Sequence, residues 1–329
     1  VELPVLIGGR AGRDPRDTWV FFPRRGTVIS NEPTGASLPY GGMFPLQVLG
    51  FFSPTGGGLY LRTEYQEVVD RRYCLQHGTD GVSMSVRYPW WRGQKLNAFV
   101  GTNPGDWHDQ LRAYNEWRET WFKPAAPRKD WFRRIFNFRQ QFLHFALPTK
   151  SGMFDPETKS LRLREVLESD AKAFGGCDYL HLFDWGWSPE TGRCGDYAPW
   201  DYLGGVDRFR QAIEDVQKMG VPVGLYIEGY LISPQSKLFE RAKAWQVIKS
   251  NGEPLEAFAP DINICPWVKE WQDYLPATYA RARQQTGASG FYIDEYGFAH
   301  DGHACYSADH GHPAPAFATE GELQMTQKV

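Results

Sequence analysis

The sequence predicts an α/β protein in which an antiparallel β-sandwich precedes a (β/α)₈ TIM-type barrel, with about four barrel strands present. Strand-like runs separated by Gly and Pro turns fill residues 1–122. From residue 131 the pattern changes to apolar strands that alternate with amphipathic helices. The intervening KPAAPRKD, rich in proline and charge, marks a linker at 123–130. We therefore expect a sandwich domain at 1–122 and a partial barrel at 131–329.

In residues 1–122, turn signals spaced about ten residues apart predict the short strands of a β-sandwich. SPTGGG supplies glycines that reach positive φ without steric cost, so it is the expected centre of a hairpin. Residues 106–122 place apolar side chains three and four apart and predict a helix. The expected strands are TWVFF, FPLQVLGFF, LYLRTEYQEVV, VSMSVRYPWW and KLNAFVGT.

The second part predicts a parallel sheet covered on both faces, because its strands are almost continuously apolar. We expect Ser160 to cap a helix that Gly175 and Gly176 end, and a second helix that Gly220 ends. Further helices are expected at 236–249 and 266–286, and a last one in TEGELQMTQKV. The four strands are expected at 138–147, 177–185, 221–230 and in GFYID (290–294).

Composition excludes some function classes. The net charge of −3 gives no basic surface for nucleic acid or an anionic membrane, and no apolar run is long enough to span a bilayer. The N-terminus has no visible signal peptide, which leaves both a secreted or periplasmic and a cytoplasmic location open. Five scattered cysteines without a CxxC pair are expected to be reduced, and a 15% aromatic content fits either sugar stacking or ordinary core packing.

Carboxylates end three of the predicted strands. Asp184, Glu228 and Asp294 each stand where an apolar run stops. The carboxyl ends of barrel strands converge on the face where active sites form, so we expect these acids to share a pocket. Their aromatic neighbours, the expected sugar-contacting rings, are Trp185, Trp187, Tyr230 and Tyr296.

Paired acids beside aromatic rings favour glycoside hydrolysis, which uses two carboxyl groups across the scissile bond. Asp294 and Glu295 are consecutive, and successive side chains of a strand point to opposite faces. Only one of them can easily face the barrel axis. The alternation of Phe291 and Ile293 with Tyr292 does not decide which one.

The segments DWGW (184–187), GDYAPW (195–200), VGLYIEG and GFYIDEYG resemble retaining glycosidases of the α-galactosidase/α-glucosidase type. The segment Cys305–Pro313 resembles a CYSxDHGHP segment of uncharacterised bacterial relatives. The resemblance implies that Asp294 is the nucleophile and that Asp184 holds sugar hydroxyls. It also makes Asp196 a substrate ligand and Glu295 a supporting acid.

The resemblance also bears on partners. A barrel of this type needs about 250 residues, more than follow the linker, and the acid/base of the resembling enzymes lies on a later strand. We therefore expect a partner chain or a further C-terminal segment to complete the barrel. The other expected partner is a carbohydrate substrate, with no nucleic acid, membrane or cofactor.

The loop HDGHACYSADHGHP (300–313) holds residue types that bind zinc, but their spacing matches no standard zinc pattern. We therefore predict no metal, and expect His303 and His310 to contact the substrate or order the loop. Two alternative functions stay open: a catalytically incomplete carbohydrate-binding protein, and a metal-dependent hydrolase that uses residues 300–312.

Overall fold

The structure is a computed structural model that describes residues 1–24, 26–41, 43–124, 126–143, 153–155, 158, 160–186, 194–199, 201–295 and 303–329; the side chains of residues 5, 15 and 202 lie outside this description. The chain divides into two compact units. The first contains Val1–Ala125, Gly297–His303 and Ala316–Glu320, and the second contains Ala126–Tyr296, Ala304–Pro315 and Gly321–Val329. None of the described helices is long and apolar enough to cross a membrane.

The described part of the first unit contains two antiparallel sheets. One has the order β1-β8-β7-β4 and the other has the order β3-β2-β5-β6-β9. The strands are β1 Glu2–Gly9, β2 Trp19–Phe22, β3 Val28–Ser30, β4 Thr34–Pro39, β5 Val48–Phe52, β6 Gly58–Arg62, β7 Arg72–Gly78, β8 Gly81–Arg87 and β9 Phe99–Asn103. A short 3₁₀ turn covers Pro15–Asp17, and helix α1 covers Trp107–Trp121.

Two apolar layers cover the second of these sheets. Val20 and Phe22 of β2 belong to the core shared with the first sheet, whereas Phe21 packs in a separate cluster with Tyr114 of α1. Because both faces of the sheet are covered, β5 is buried at every position. This explains why TWVFF and VLGFF are unbroken apolar runs within an antiparallel sheet.

Several predictions for this unit can be compared with the structure. The SPTGGG hairpin is confirmed, since Phe52 pairs with Gly58 and the intervening Gly56 and Gly57 have positive φ. The helix predicted at 106–122 is α1. Sequence patterns missed four strands. Of these, β3 is short, β4 and β7 are interrupted by polar residues, and β1 is an apolar run that was not assigned to a strand. They also extended the strand of LYLRTEYQEVV too far, because β6 ends at Arg62.

The second unit contains a parallel sheet whose strands follow chain order, β10-β13-β14-β17. These strands are β10 Phe138–Phe142, β13 Tyr179–Phe183, β14 Val223–Glu228 and β17 Gly290–Asp294. Helices connect successive strands, as in β/α units. The helices are α2 Asp130–Arg133, α3 Leu163–Phe174, α4 Gly205–Lys218, α5 Phe239–Ala242, α6 Lys269–Thr286 and α7 Thr319–Thr326, with 3₁₀ turns at Asp201–Leu203 and Lys243–Trp245.

Two antiparallel pairs of two-residue strands accompany the sheet: β11 Phe154–Asp155 with β12 Ser160–Leu161, and β15 Leu231–Ile232 with β16 Ile262–Asn263. The protein is thus mixed α/β, with antiparallel sheets in its first unit. The described parallel sheet has four strands, and its closure into a barrel stays a proposal.

Two helix predictions in this unit were wrong in part. Ser160 caps no helix, because it pairs with Asp155 in β12, and α3 begins after Arg162 without a side-chain cap. The helix expected at 236–249 is short, because the chain beyond Trp245 turns extended and Val247 exchanges backbone bonds with Asn263 and Leu255. By contrast, Gly175 ends α3 in the left-handed conformation, as predicted.

Candidate functional site

The carboxyl ends of the parallel strands bring two acids together. Glu228 ends β14 and Asp294 ends β17, and the two residues are direct partners in the register of the sheet. In open and closed β/α sheets alike, ligands bind outside the carboxyl ends of the strands. This edge of the sheet is therefore the candidate functional site.

The packing of α6 against β17 shows which side chains of this strand lie on each face, a question that the sequence left open. The ring of Phe291 lies 5.4 Å from that of Tyr279 in α6, so this face of β17 is turned to the helix. Tyr292 and Asp294 belong to the opposite face. The ring of Tyr292 lies 6.1 Å from that of Tyr226, the residue two before Glu228. Asp294 therefore shares a face with Glu228.

One hydroxyl connects the two acids. The Tyr226 hydroxyl oxygen lies 2.7 Å from Glu228 Oε2 and 3.0 Å from Asp294 Oδ2. Asp294 Oδ1 also accepts hydrogen bonds from the Tyr292 hydroxyl at 3.2 Å and from the Glu295 backbone at 3.0 Å. Three donors from three residues thus fix the orientation of the Asp294 carboxylate.

Glu228 is 1% exposed, and burial is the main cause that raises its pKa to about 7. The nearby charge of Asp294 raises it further, whereas hydrogen bonds from Tyr226 and from the Tyr230 backbone lower it. The backbone of Gly229 also donates to Glu228 Oε1 at 3.0 Å. Both carboxyl oxygens are therefore engaged within the protein.

The raised pKa resolves a conflict in the hydrogen bonding. Tyr226 has a single hydroxyl proton and can donate it to only one acid at a time. If Glu228 holds a proton, it donates to Tyr226, and Tyr226 is then free to donate to Asp294. This arrangement satisfies the hydrogen bonding of all three groups.

His181 of β13 extends this face toward the middle of the sheet. Its ring lies 5.1 Å from Tyr292 and 4.5 Å from Phe183. Burial lowers the pKa of His181 to about 4, which the charge of Asp294 only partly offsets. The imidazole is therefore neutral at physiological pH, and its Nε2 is buried without a hydrogen-bond partner.

Asp184 and Glu295 each follow a strand directly, and both have the left-handed backbone conformation, with φ of 56° and 57°. Residues other than glycine adopt it at a cost, and such strain concentrates at functional sites. Asp184 is buried, and Glu295 is half-buried. The chain thus turns sharply at the ends of β13 and β17 and presents an acid at each turn.

Trp185 lies in the packed interior rather than at a pocket mouth. It is 1% exposed, its ring stacks near those of Tyr197 and Phe209, and its Nε1 donates to the Tyr226 carbonyl at 2.7 Å. This packing leaves no ring face free for a sugar. Its position instead supports the backbone of the residue that bonds to both acids.

Tyr230 and Asp196 also hold the protein together. Tyr230 is 1% exposed, and its hydroxyl donates to Glu322 at 2.7 Å. Asp196 accepts hydrogen bonds from the Ser236 hydroxyl at 2.9 Å and from the Lys237 backbone at 3.1 Å. Of the remaining predicted residues, Trp187 and Tyr296 lie outside the described part, and His303 is exposed.

His310 belongs to a different cluster. Its Nδ1 lies 3.4 Å from Cys305 Sγ, and its Nε2 lies 3.0 Å from the Ala244 carbonyl oxygen. Among the described residues it is grouped with Cys265, Cys305 and His312. These contacts do not include the strand-end acids.

Sequence reasoning did not select Tyr226, Tyr292 or His181. A signal for them was available. Each stands two residues before the last residue of its strand, on the same side as that residue, within a run that is otherwise apolar. Alternate polar and aromatic positions inside a buried strand therefore identify the face that the acids occupy.

The family model described as "Domain of unknown function (DUF6259)" matches residues 93–317, more than half of the chain. The chain belongs to this family. No curated protein matches its sequence.

Solved structures show the fold. An α-N-acetylgalactosaminidase of Bifidobacterium bifidum matches with a TM-score of 0.65 and 15% identity, over 97% of this chain and 55% of that one. An α-galactosidase of Thermus thermophilus matches with a TM-score of 0.58 and 16% identity, over 96% and 60%. A GH36 α-galactosidase of Geobacillus stearothermophilus matches with a TM-score of 0.59 and 12% identity, over 94% and 44%.

These matches give the DUF6259 chain a glycoside hydrolase-like fold. Its 329 residues span 44% to 60% of the length of the three proteins named.

Proposed function

We propose that the chain is part of a retaining α-glycosidase and supplies its catalytic nucleophile, Asp294. The observation that carries this proposal is the Asp294 carboxylate at the end of β17, held by Tyr226, Tyr292 and the Glu295 backbone. In a retaining enzyme, the nucleophile must stay ionised and correctly oriented beside the anomeric carbon. The likeness to α-galactosidases and to an α-N-acetylgalactosaminidase supports the assignment.

The geometry suggests a mechanism for the first step. The carboxylate of Asp294 attacks the anomeric carbon and forms a glycosyl-enzyme ester, while the leaving oxygen takes up a proton. Hydrogen bonds from Tyr226 and Tyr292 hold the carboxylate in place without neutralising it. A protonated Glu228 favours this state, because it keeps a second negative charge away from Asp294.

Glu228 is not the proton donor to the leaving group in this proposal. It is 1% exposed and bonded through both oxygens, so it cannot reach a substrate oxygen. We propose that the general acid lies outside the described residues, in a further segment or partner chain that completes a (β/α)₈ barrel. The greater length of the similar enzymes supports this. The domain bounds 1–122, 123–130 and 131–329 belong to the same proposal.

The substrate contacts expected from the sequence remain part of this proposal. We propose that Asp184 accepts hydrogen bonds from sugar hydroxyls and that Glu295 supports the nucleophile. Trp187, Tyr296 and His303 remain candidates for further sugar contacts. Trp185, Tyr230 and Asp196 are not included, because each is engaged in packing or in internal hydrogen bonds.

Covalent trapping tests the proposal directly. The protein, in the assembly that turns over p-nitrophenyl α-D-galactopyranoside or its N-acetylgalactosamine counterpart, is treated with a 2-deoxy-2-fluoro α-glycosyl fluoride. Peptide mass spectrometry is expected to find the sugar esterified to Asp294. The matched variant Asp294→Asn should lose labelling and turnover but retain sugar binding by calorimetry.

Two results would overturn the assignment. Labelling of another carboxylate would move the nucleophile elsewhere. Sugar binding without turnover by any assembly that contains this chain would indicate a carbohydrate-binding protein instead.

A further inference from the structure

Four side chains with metal-binding groups converge away from the strand-end acids. All four are buried, and their ligand atoms lie within 4.8 Å of one another. One comes from the turn between β16 and α6, and the other three come from the loop that follows β17. We call them the Cys₂His₂ cluster: Cys265, Cys305, His310 and His312.

Both imidazoles of the Cys₂His₂ cluster have one nitrogen committed to a backbone carbonyl. His310 Nε2 lies 3.0 Å from the Ala244 carbonyl oxygen, and His312 Nδ1 lies 3.1 Å from the Pro313 carbonyl oxygen. A carbonyl only accepts, so each of these nitrogens must carry the hydrogen. In a neutral ring, the other nitrogen then has a free lone pair. Histidines that bind metals show this pattern of a backbone carbonyl behind the ring.

The other nitrogen of each ring faces the cluster. His310 Nδ1 lies 3.4 Å from Cys305 Sγ. His312 is only 6% exposed, and its Nε2 is buried without a hydrogen-bond partner. Such a polar atom is costly to bury unless something occupies it. The ligand atoms of all four residues lie within 4.8 Å of one another, so the four groups converge on one place.

We propose that the Cys₂His₂ cluster binds one zinc ion. Two thiolates and two imidazoles are a ligand set that structural zinc sites use. Tetrahedral bonds of the usual length place a sulfur and a nitrogen ligand about 3.6 Å apart, close to the distance between Cys305 and His310. Binding releases the two thiol protons, and the resulting site of one Zn²⁺ and two thiolates is neutral, which suits burial.

The site is structural rather than catalytic. Four protein ligands complete the coordination of zinc and leave no position for water or substrate. Backbone hydrogen bonds already connect the segments that the ion would join. The Cys265 N–H donates to the Trp245 carbonyl and the Tyr306 N–H donates to the Ile248 carbonyl, both at 2.8 Å. The ion would fix the segment 305–312, which follows Asp294 and Glu295 in the chain. This role goes beyond the proposed glycosidase activity and does not depend on it.

Metal analysis of the full chain tests the proposal. Protein purified under reducing conditions without chelators is expected to hold about one zinc per chain, as a site with four ligands requires. Cys265→Ser and His312→Ala should each lower the zinc content to background. Two control variants should keep the zinc: Cys177→Ser, a half-buried thiol outside the cluster, and His303→Ala, an exposed histidine of the same loop.

Cobalt replaces zinc as a spectroscopic probe and keeps the proposal testable if a variant fails to fold. Co²⁺ added to wild-type protein freed of metal should give the intense visible bands of tetrahedral cobalt, with thiolate charge transfer in the near ultraviolet. Two outcomes overturn the proposal. One is the absence of zinc and of any cobalt spectrum in the folded wild-type chain. The other is a disulfide between Cys265 and Cys305, seen as three rather than five reactive thiols after denaturation without reductant.

Discussion

Glu228 and Asp294 face each other as paired residues of adjacent parallel strands, and one tyrosine hydroxyl lies within hydrogen-bond distance of both. Two carboxyl groups that lie this close together in a buried setting do not both ionise easily, because their negative charges repel each other. Burial, with the neighbouring charge of Asp294, raises the pKa of Glu228, the more buried acid, to about 7. A single pair of strand ends thus places two carboxyl groups in different environments, one fully buried and one partly exposed.

The first prediction concerns the pH dependence of stability. The pKa of Glu228 rises from 4.5 to about 7 on folding, so between these values the folded chain holds a proton that the unfolded chain releases. The stabilising effect is complete below pH 4.5 and is lost as the pH rises through 7. In Glu228→Gln this dependence is absent. We expect the free energy of unfolding of the wild type, relative to this variant, to fall by about 2 to 3 kcal/mol from pH 5 to pH 8.

Urea unfolding at the two pH values measures this difference. Glu240→Gln is the matched control, because Glu240 has a side chain 80% exposed and should behave as the wild type. An equal pH dependence in wild type and Glu228→Gln would show that Glu228 ionises normally in the folded chain.

The second prediction separates the two tyrosines that bond to Asp294. Tyr226→Phe removes a buried hydroxyl that contacts both acids, whereas Tyr292→Phe removes one on a half-exposed side chain. A hydrogen bond to a charged group contributes about 1.5 to 3 kcal/mol. We therefore expect Tyr226→Phe to lower kcat about 10- to 100-fold with little change in KM. Tyr292→Phe should have the smaller effect.

Steady-state kinetics with the aryl glycoside checks this order, and the pH profile adds a second readout. The hydrogen bond from Tyr226 lowers the pKa of Glu228, so its loss should raise that pKa and shift the pH profile of kcat as well. A larger loss for Tyr292→Phe would mean that Asp294 is oriented mainly from its exposed side.

The sequence predicted much of this site because its signals are local. An apolar run that ends in a carboxylate identifies a strand end, and the Asp184, Glu228 and Asp294 positions follow from that alone. Burial is not local. Trp185 follows Asp184 in sequence, but the left-handed turn at Asp184 sends its ring into the core against Phe209 of α4. Nothing in the DWGW segment distinguishes a buried ring from an exposed one.

The Cys₂His₂ cluster was missed for a similar reason. The loop contributes Cys305, His310 and His312 with an irregular spacing, and the fourth ligand stands far earlier in the chain. Cys265 is brought to the loop by the backbone pairing of residues 245–265, which no sequence period reports. Nonlocal pairing determines this site, and single-sequence patterns do not contain it.

The third prediction tests the packing role of Trp185. Trp185→Phe should lower the free energy of unfolding by about 1 to 3 kcal/mol, through the lost ring volume and the lost hydrogen bond to the Tyr226 carbonyl. Sugar affinity should change little, because the indole has no free face. Calorimetric titration beside urea unfolding measures both. A variant of normal stability with weakened sugar binding would restore Trp185 as a sugar platform.

The last prediction concerns Asp196, whose carboxylate accepts hydrogen bonds from the Ser236 hydroxyl and the Lys237 backbone. Asp196→Ala removes both acceptors and should destabilise the fold by about 1 to 3 kcal/mol, without changing sugar affinity. In a double-mutant cycle, Asp196→Ala and Ser236→Ala should couple by about 0.5 to 1.5 kcal/mol, because they remove one shared bond. Asp196→Asn retains an acceptor oxygen and should lose less. Weaker sugar binding by Asp196→Asn at wild-type stability would instead make Asp196 a substrate ligand, as its sequence context first suggested.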